Sequence, residues 1–328
     1  MFAGALNKGF RGALPFLIAF FVTGALFSFF AQKGVESNNY PNLFYNYFAQ
    51  KIESRFIIVC LNYLFIGIGV ILISLIAVDQ EVVEKQNYFP VFIYLILCIC
   101  SIQPDQITPQ VFTNVFILYS IYKLLDTYRK EEILDHVFVA AFWLSISAYI
   151  TISSIISFPL FFIVLLILRP FSWREFIVAC LGFAAPVFIY ECIAYLSDFN
   201  QWYFIKAVQS YFNTLTFPSF SEYYLPLLFL LLLLLIISVF SGFISGFGNT
   251  VKKQRTKSIL LWYIFLASLG FFSDGGNSSR IILTYAFPLS FFIGDFLFGI
   301  KQIKITNTIL ALFFICMVII FLAEYKII

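Results

Sequence analysis

Ionisable side chains are scarce in this sequence, so any that interrupts an apolar run is a candidate for chemistry. Two do so: Glu191, within the run 176–195, and Asp295, within the run 281–299. A carboxylate in such a place either takes a cationic partner or serves as a binding or acid–base group. For Glu191 the cations in reach are Lys206 and Arg280, and both readings stay open. Asp295 lies near the end of its run, with Lys301 about a turn and a half further on, which points to a structural role. The most polar segment of the chain is Asp274-Gly-Gly-Asn-Ser-Ser-Arg280. Its glycines permit a tight turn with positive φ, and its arginine can hold a phosphate through two parallel N–H groups. Asp274 and Arg280 are therefore binding candidates, and an ordinary exposed turn is the plainer alternative. Hydroxyls gather in one place: Ser147, Thr151 and Ser154 share a helical face, suited to interhelical hydrogen bonds or to lining a cavity.

Metal chemistry finds no support. The single histidine, His136, stands beside Asp135 at the start of an apolar run and reads as solvated. Cys60, Cys98, Cys100, Cys180, Cys192 and Cys316 all fall within apolar runs, where a free thiol packs as a small apolar group. No metal site, no cofactor and no disulfide is expected.

The elements that must position these residues are membrane helices. Of 328 residues, 62% are hydrophobic and 11% charged, against about 25% charged in a typical soluble domain. Mean hydropathy is +0.95. These values exclude a soluble globular domain, a disordered chain and a secreted disulfide scaffold, and a formal charge of +3 is too small for nucleic-acid binding. The expected fold is an all-α, polytopic transmembrane bundle forming one integral membrane domain over residues 1–328. Runs long enough to cross, or nearly so, lie at 13–30, 56–78, 88–102, 111–125, 137–156, 158–168, 176–195, 225–247, 258–272, 281–299 and 305–322. That is eleven spans, or ten if 137–156 and 158–168, parted only by Ser157-Phe158-Pro159, form one broken or re-entrant element.

With the N-terminus inside, fourteen of the 20 Lys and Arg fall on the inner face and the loops alternate almost without exception. Two connections are long, 31–55 and 196–224, and both lie on the outer face. Both are rich in aromatic residues, such as Tyr40 and Phe44 in the first and Trp202, Phe204 and Tyr211 in the second. Short helices lying in the outer interface are expected there, either as anchors or as a roof over a lipid-facing cavity.

The corner Leu168-Arg-Pro-Phe-Ser-Trp-Arg-Glu-Phe176, followed by Gly182 and Pro186, and the run Phe287-Pro-Leu-Ser-Phe-Phe-Ile-Gly-Asp295 resemble an uncharacterised Bacteroidota family, domain of unknown function 6427. The resemblance implies a multi-pass protein of a Gram-negative inner membrane and carries no activity. In architecture the chain also resembles the C superfamily of membrane glycosyltransferases, which start inside, carry a catalytic acid in the first outer loop, and have a second important outer loop after the seventh span. That resemblance implies a polyprenyl-linked saccharide at the outer face, with Glu36 and Asp105 as catalytic acids and Arg55, Lys206 and Arg280 as phosphate holders. The first loop departs from the pattern: it has no Asp, and its acids Glu36 and Glu53 are not paired. An enzyme and a non-catalytic relative both remain open. So do two other readings: a non-enzymatic subunit of an inner-membrane complex for envelope biogenesis or secretion, with a protein partner, and a small-molecule transporter. The expected partners are membrane lipids, polyprenyl phosphate among them.

Overall fold

The computed structural model describes residues 10–30, 54–80, 82–83, 87–102, 106–130, 132–196, 203–213, 221–244, 250–274, 278–300 and 302–324. Among them are twelve α-helices and no strand. The helices are α1 (Phe10–Phe30), α2 (Arg55–Asp79), α3 (Phe89–Ser101), α4 (Pro109–Leu125), α5 (Leu134–Ile150), α6 (Phe158–Leu168), α7 (Trp173–Leu196), α8 (Tyr203–Asn213), α9 (Leu225–Ile244), α10 (Val251–Asp274), α11 (Ser278–Gly299) and α12 (Ile303–Glu324). Two 3-10 segments, Ile152–Ser157 and Glu222–Tyr224, precede α6 and α9. Among the described residues five helices are long and apolar enough to cross a membrane: α2, α7, α9 with its 3-10 lead-in, α11 and α12. Four further apolar stretches are shorter, Ala13–Leu26, Phe89–Ser101, Leu134–Ile150 and Ile152–Leu168.

Helix α3 is the centre of the bundle, and every one of its residues is buried. Its sequence is apolar all round, as a helix with neighbours on every side requires. The helix packed most closely along it is α11. A Cβ on Gly294 of α11 would stand 2.6 Å from the Pro90 nitrogen of α3, so the two backbones meet at van der Waals distance only because position 294 has no side chain. Asn87 fixes the same joint. Its Oδ1 accepts the Phe89 N–H at 2.9 Å, and its Nδ2 donates to the Gly294 carbonyl at 3.1 Å. At the edge of the bundle, α7 presents a narrow stripe to α5. It buries Glu175, Ala179, Gly182, Pro186 and Ala194, and a Cβ on Gly182 would stand 2.6 Å from the Phe138 carbonyl.

The pair α5 and α6 is a hairpin. Helix α5 ends at Ile150, and Thr151 is extended (φ −136°, ψ 116°). The 3-10 segment and α6 then run back, so that the Arg169 Nη1 after α6 donates to the Lys130 carbonyl before α5 at 2.6 Å. The run 137–156 is therefore not one helix. Its Thr-Ile-Ser-Ser-Ile-Ile-Ser stretch combines β-branched residues with hydroxyls that compete for backbone partners, and the Ser154 N–H turns back to the Thr151 carbonyl at 3.0 Å. The returning limb is about 28 Å long, taking 2.0 Å per residue in the 3-10 segment and 1.5 Å in α6.

The start of α10 closes the end of the bundle where α2, α6 and α11 finish. Lys252 Nζ donates to the Asp79 carbonyl at 2.5 Å and Arg255 Nη1 to the Leu168 carbonyl at 2.9 Å. These cations satisfy C-terminal carbonyls and oppose the negative ends of two helix dipoles. Lys253 and Lys257 both reach Asp295, at 2.9 and 2.5 Å. The partners of Asp295 thus come from α10. His136 Nδ1 stands 3.5 Å from Asp126 Oδ2 at the same end. All six thiols are free.

Candidate functional site

A polar seam runs through the opposite end. Asn62 of α2 holds the turn before α4: its Nδ2 donates to the Gln106 carbonyl at 3.0 Å, and its Oδ1 accepts the Thr108 N–H at 3.1 Å. Helix α4 then carries Gln110, Thr113 and Asn114, spaced so that all three lie on one face. Gln110 Nε2 donates to Thr284 Oγ1 of α11 at 2.7 Å, and Asn114 Nδ2 donates to the Leu283 carbonyl at 2.7 Å. Thr113 donates to the Pro109 carbonyl at 3.1 Å and shares a 2.8 Å hydrogen bond with Thr151, which shares a 2.9 Å bond with Ser154. A hydroxyl has one proton. In each of the two hydroxyl–hydroxyl bonds either oxygen can supply the proton, and the three side chains form one chain that ends at Ser154.

What it faces is a cavity of about 20 Å³, room for one or two water molecules. Gln110 and Thr284 line one side, Ser153, Ser154 and Ser157 another, and Tyr263 and Gly270 of α10 a third. Tyr263 is fully buried, and its hydroxyl finds no hydrogen-bond partner among the described residues. None of the lining residues is ionisable at neutral pH. The extended residue Thr151 sets the three serines at this point, so the hydroxyls of the run both bond between helices and line a cavity.

The amphipathic helix α8 lies over the hairpin tip. Its buried residues Phe204 and Tyr211 are seven apart, on one face, while Lys206 and Phe212 are exposed. Tyr211 donates to the Gly270 carbonyl at 2.5 Å, and Gly270 lines the cavity. Phe204 packs on Tyr149, with ring centroids 4.8 Å apart, and Tyr149 packs on Tyr190 at 5.3 Å. Thus part of the connection 196–224 forms a short helix, bonded to a residue that lines the cavity.

The binding candidates that are described stand at this end, whereas Asp295 stands at the other. Arg280 opens α11 one turn before Thr284, whose Oγ1 donates to the Arg280 carbonyl at 3.0 Å. Glu191, in α7, is close enough to Tyr149 to act on it electrostatically. Lys206 is on α8. Arg55 opens α2 and donates from Nη2 to the Ser28 carbonyl at 3.2 Å, beside the 2.8 Å Ser28–Tyr63 bond. Asp274 ends α10. Glu36 and Asp105 lie outside the described residues. Sequence reasoning missed Asn62, Gln110, Asn114, Tyr263 and Thr284. The signal for one of them was present, because Asn114 is an amide within the apolar run 111–125, four residues after Gln110.

The profile described as Family of unknown function (DUF6427) matches residues 43–328. The chain belongs to that family. Nothing among curated proteins or solved structures matches it. In this DUF6427 protein the two sequence runs that carry the resemblance supply close packing points of the bundle: Gly182 against α5, and Gly294 and Asp295 against α3 and α10.

Proposed function

We propose that this chain is an eleven-span inner-membrane protein, N-terminus inside, that holds a polyprenyl-linked saccharide at its outer end. The observation that carries the reading is the assembly at one end of the bundle. An amphipathic helix bearing Lys206 lies across the hairpin tip, Arg280 stands one turn from Thr284, and beneath them is a cavity lined by neutral hydroxyl and amide groups. Amphipathic helices of this kind lie in the headgroup layer, where arginine and lysine meet lipid phosphate. The orientation rests on the clustering of Lys130, Arg169, Lys252, Lys253, Arg255 and Lys257 at the other end.

Group transfer additionally needs a general base. None of the lining residues is a carboxylate, so that role falls to Glu36 or Asp105. Cells carrying Glu36→Gln or Arg280→Ala test the reading. Loss of surface glycan or slowed growth with Arg280→Ala is expected. Loss with Glu36→Gln as well marks a transferase, and retention marks a non-catalytic handler. Unchanged glycans and growth in both variants overturn the proposal.

One observation favours a second reading, that of a complex subunit. Helix α7 buries only its narrow stripe and exposes Phe188, Tyr195 and Leu196 on the outside of the bundle. Purification in mild detergent then yields a stoichiometric protein partner; a clean monomer counts against it.

A further inference from the structure

The end of the bundle opposite the cavity carries arginines that its carboxylates do not account for. The turn after α4 is closed by its own backbone: the Thr127 N–H donates to the Leu124 carbonyl at 3.1 Å, and the Lys130 N–H to the Thr127 carbonyl at 3.3 Å. Inside that turn Arg129 takes a φ of 61°, and among the described residues no other non-glycine residue has a positive φ. A turn that needed only this backbone would meet it with least strain through glycine or asparagine. Side chains held in this region gather at ligand clamps, where what the side chain does outweighs the strain.

The Arg129 guanidinium stands over the Tyr128 ring, 5.2 Å from its centroid, and the Arg255 guanidinium of α10 stands 5.4 Å from the same centroid. Arg169 is tied into this corner, because its Nη1 donates to the Lys130 carbonyl at 2.6 Å and Arg255 Nη1 donates to the Leu168 carbonyl at 2.9 Å. The nearby acids are already engaged. Asp126 holds Lys130 at 2.6 Å, and Glu175 stands 3.9 Å from Arg169 Nε. Neither Arg129 nor Arg255 has a carboxylate partner among the described residues. Arg129 is exposed, and Arg255 keeps further N–H donors beyond the one on Leu168. Two like charges gathered at one ring repel, whereas an anion that meets both attracts each of them. Guanidinium groups suit phosphate oxygens in particular, through paired N–H donors. The same corner gives the depth of the site. Phe171 and Trp173 are 69% and 62% exposed, and Arg174 lies 5.9 Å from the centroid of the Trp173 ring. Exposed aromatic rings and arginines at the ends of apolar helices mark the headgroup layer.

We propose that Arg129 and Arg255, flanked by Arg169, form a phosphate site at this end of the bundle, and that the phosphate belongs to an anionic phospholipid of the adjoining leaflet. The inference stands apart from the outer-face function, because it uses the other end of the molecule.

The purified full chain in detergent, titrated separately with phosphatidylglycerol, phosphatidylcholine and inorganic phosphate and read by native mass spectrometry, tests it. Arg129→Gly removes the guanidinium and leaves a residue suited to the left-handed backbone, so its melting temperature without lipid is expected not to fall. Arg255→Ala removes the second cation together with its bond to Leu168, so Arg129→Gly is the deciding variant. Lys304→Ala, which removes an exposed cation from α12, is the control for charge alone. Wild type is expected to prefer phosphatidylglycerol over phosphatidylcholine. Arg129→Gly and Arg255→Ala each weaken phosphatidylglycerol roughly tenfold, the scale of a lost charge-assisted hydrogen bond, and Lys304→Ala leaves it unchanged. Inorganic phosphate bound as tightly as the lipid, with the same dependence on Arg129, keeps the site and moves its source to a soluble phosphate. Phosphatidylglycerol bound equally by wild type and Arg129→Gly, weakened equally by Arg129→Gly and Lys304→Ala, or bound no better than phosphatidylcholine, overturns the site.

Discussion

At Asp295 two lysines share one carboxylate: Lys257 is buried, and Lys253 and the aspartate are partly buried. Removing one member of such a cluster leaves buried charge uncompensated, which costs more than the intact pair contributes. Asp295→Asn is expected to lower stability by about 3 kcal/mol, read as a drop in melting temperature in detergent, with a smaller loss for Lys253→Ala. No change in melting temperature would mean that α10 does not depend on this anchor. Gly294 makes a second residue-scale test. Alanine there drives a methyl into Pro90 and is expected to cost about 1–3 kcal/mol. At Gly299, where an added Cβ meets nothing within 4 Å, the same change is expected to be neutral. The partners of Asp295 also show what sequence order hides. Lys301 is its near cation in the chain, yet the bonded lysines lie 42 and 38 residues earlier, on a helix that fold alone brings alongside.

Among the elements, the hairpin α5–α6 and the helix α8 shape the site. A break between the runs 137–156 and 158–168 was legible from Ser157-Phe158-Pro159. Its position at Thr151 was not, because it depends on the hydroxyl of Thr113, 38 residues away. The amphipathic pattern of α8 was legible for the same reason as any interface helix, a periodic aromatic stripe within a polar segment. Tyr263 and Thr284 were not: a lone tyrosine or threonine in an apolar run gives no sign of what it faces until neighbouring helices are placed. The hydrogen bond from Tyr211 to Gly270 holds α8 over the cavity. Tyr211→Phe is expected to speed hydrogen exchange of the α8 amides about fivefold, the equivalent of a 1 kcal/mol bond, with α3 unchanged. Equal exchange in the two proteins would show that α8 is held by its aromatic contacts alone.

For the whole molecule, composition made the membrane class legible and left the assembly open. Alternating basic loops give one reading of which ends lie together, and the helix-end contacts group particular residues. Lys130, Arg169 and the start of α10 meet at one end, and Gln110, Gly270 and Thr284 at the other. Single-cysteine variants at Lys130, Arg174 and Lys304 are expected to resist a membrane-impermeant maleimide in intact spheroplasts, while one at Lys206 reacts. The cysteine-free parent needs all six native thiols replaced, three of which face outward. Labelling of both groups from one side would break the eleven-span topology.

The central claim is that the outer end binds a lipid phosphate. Native mass spectrometry with lipid extraction, on protein purified in mild detergent, tests it most directly. Wild type is expected to carry polyprenyl phosphate or its saccharide, and Arg280→Ala to lose it while remaining folded. Bulk phospholipid alone on the wild type, or the same polyprenyl lipid retained by Arg280→Ala, would contradict the account.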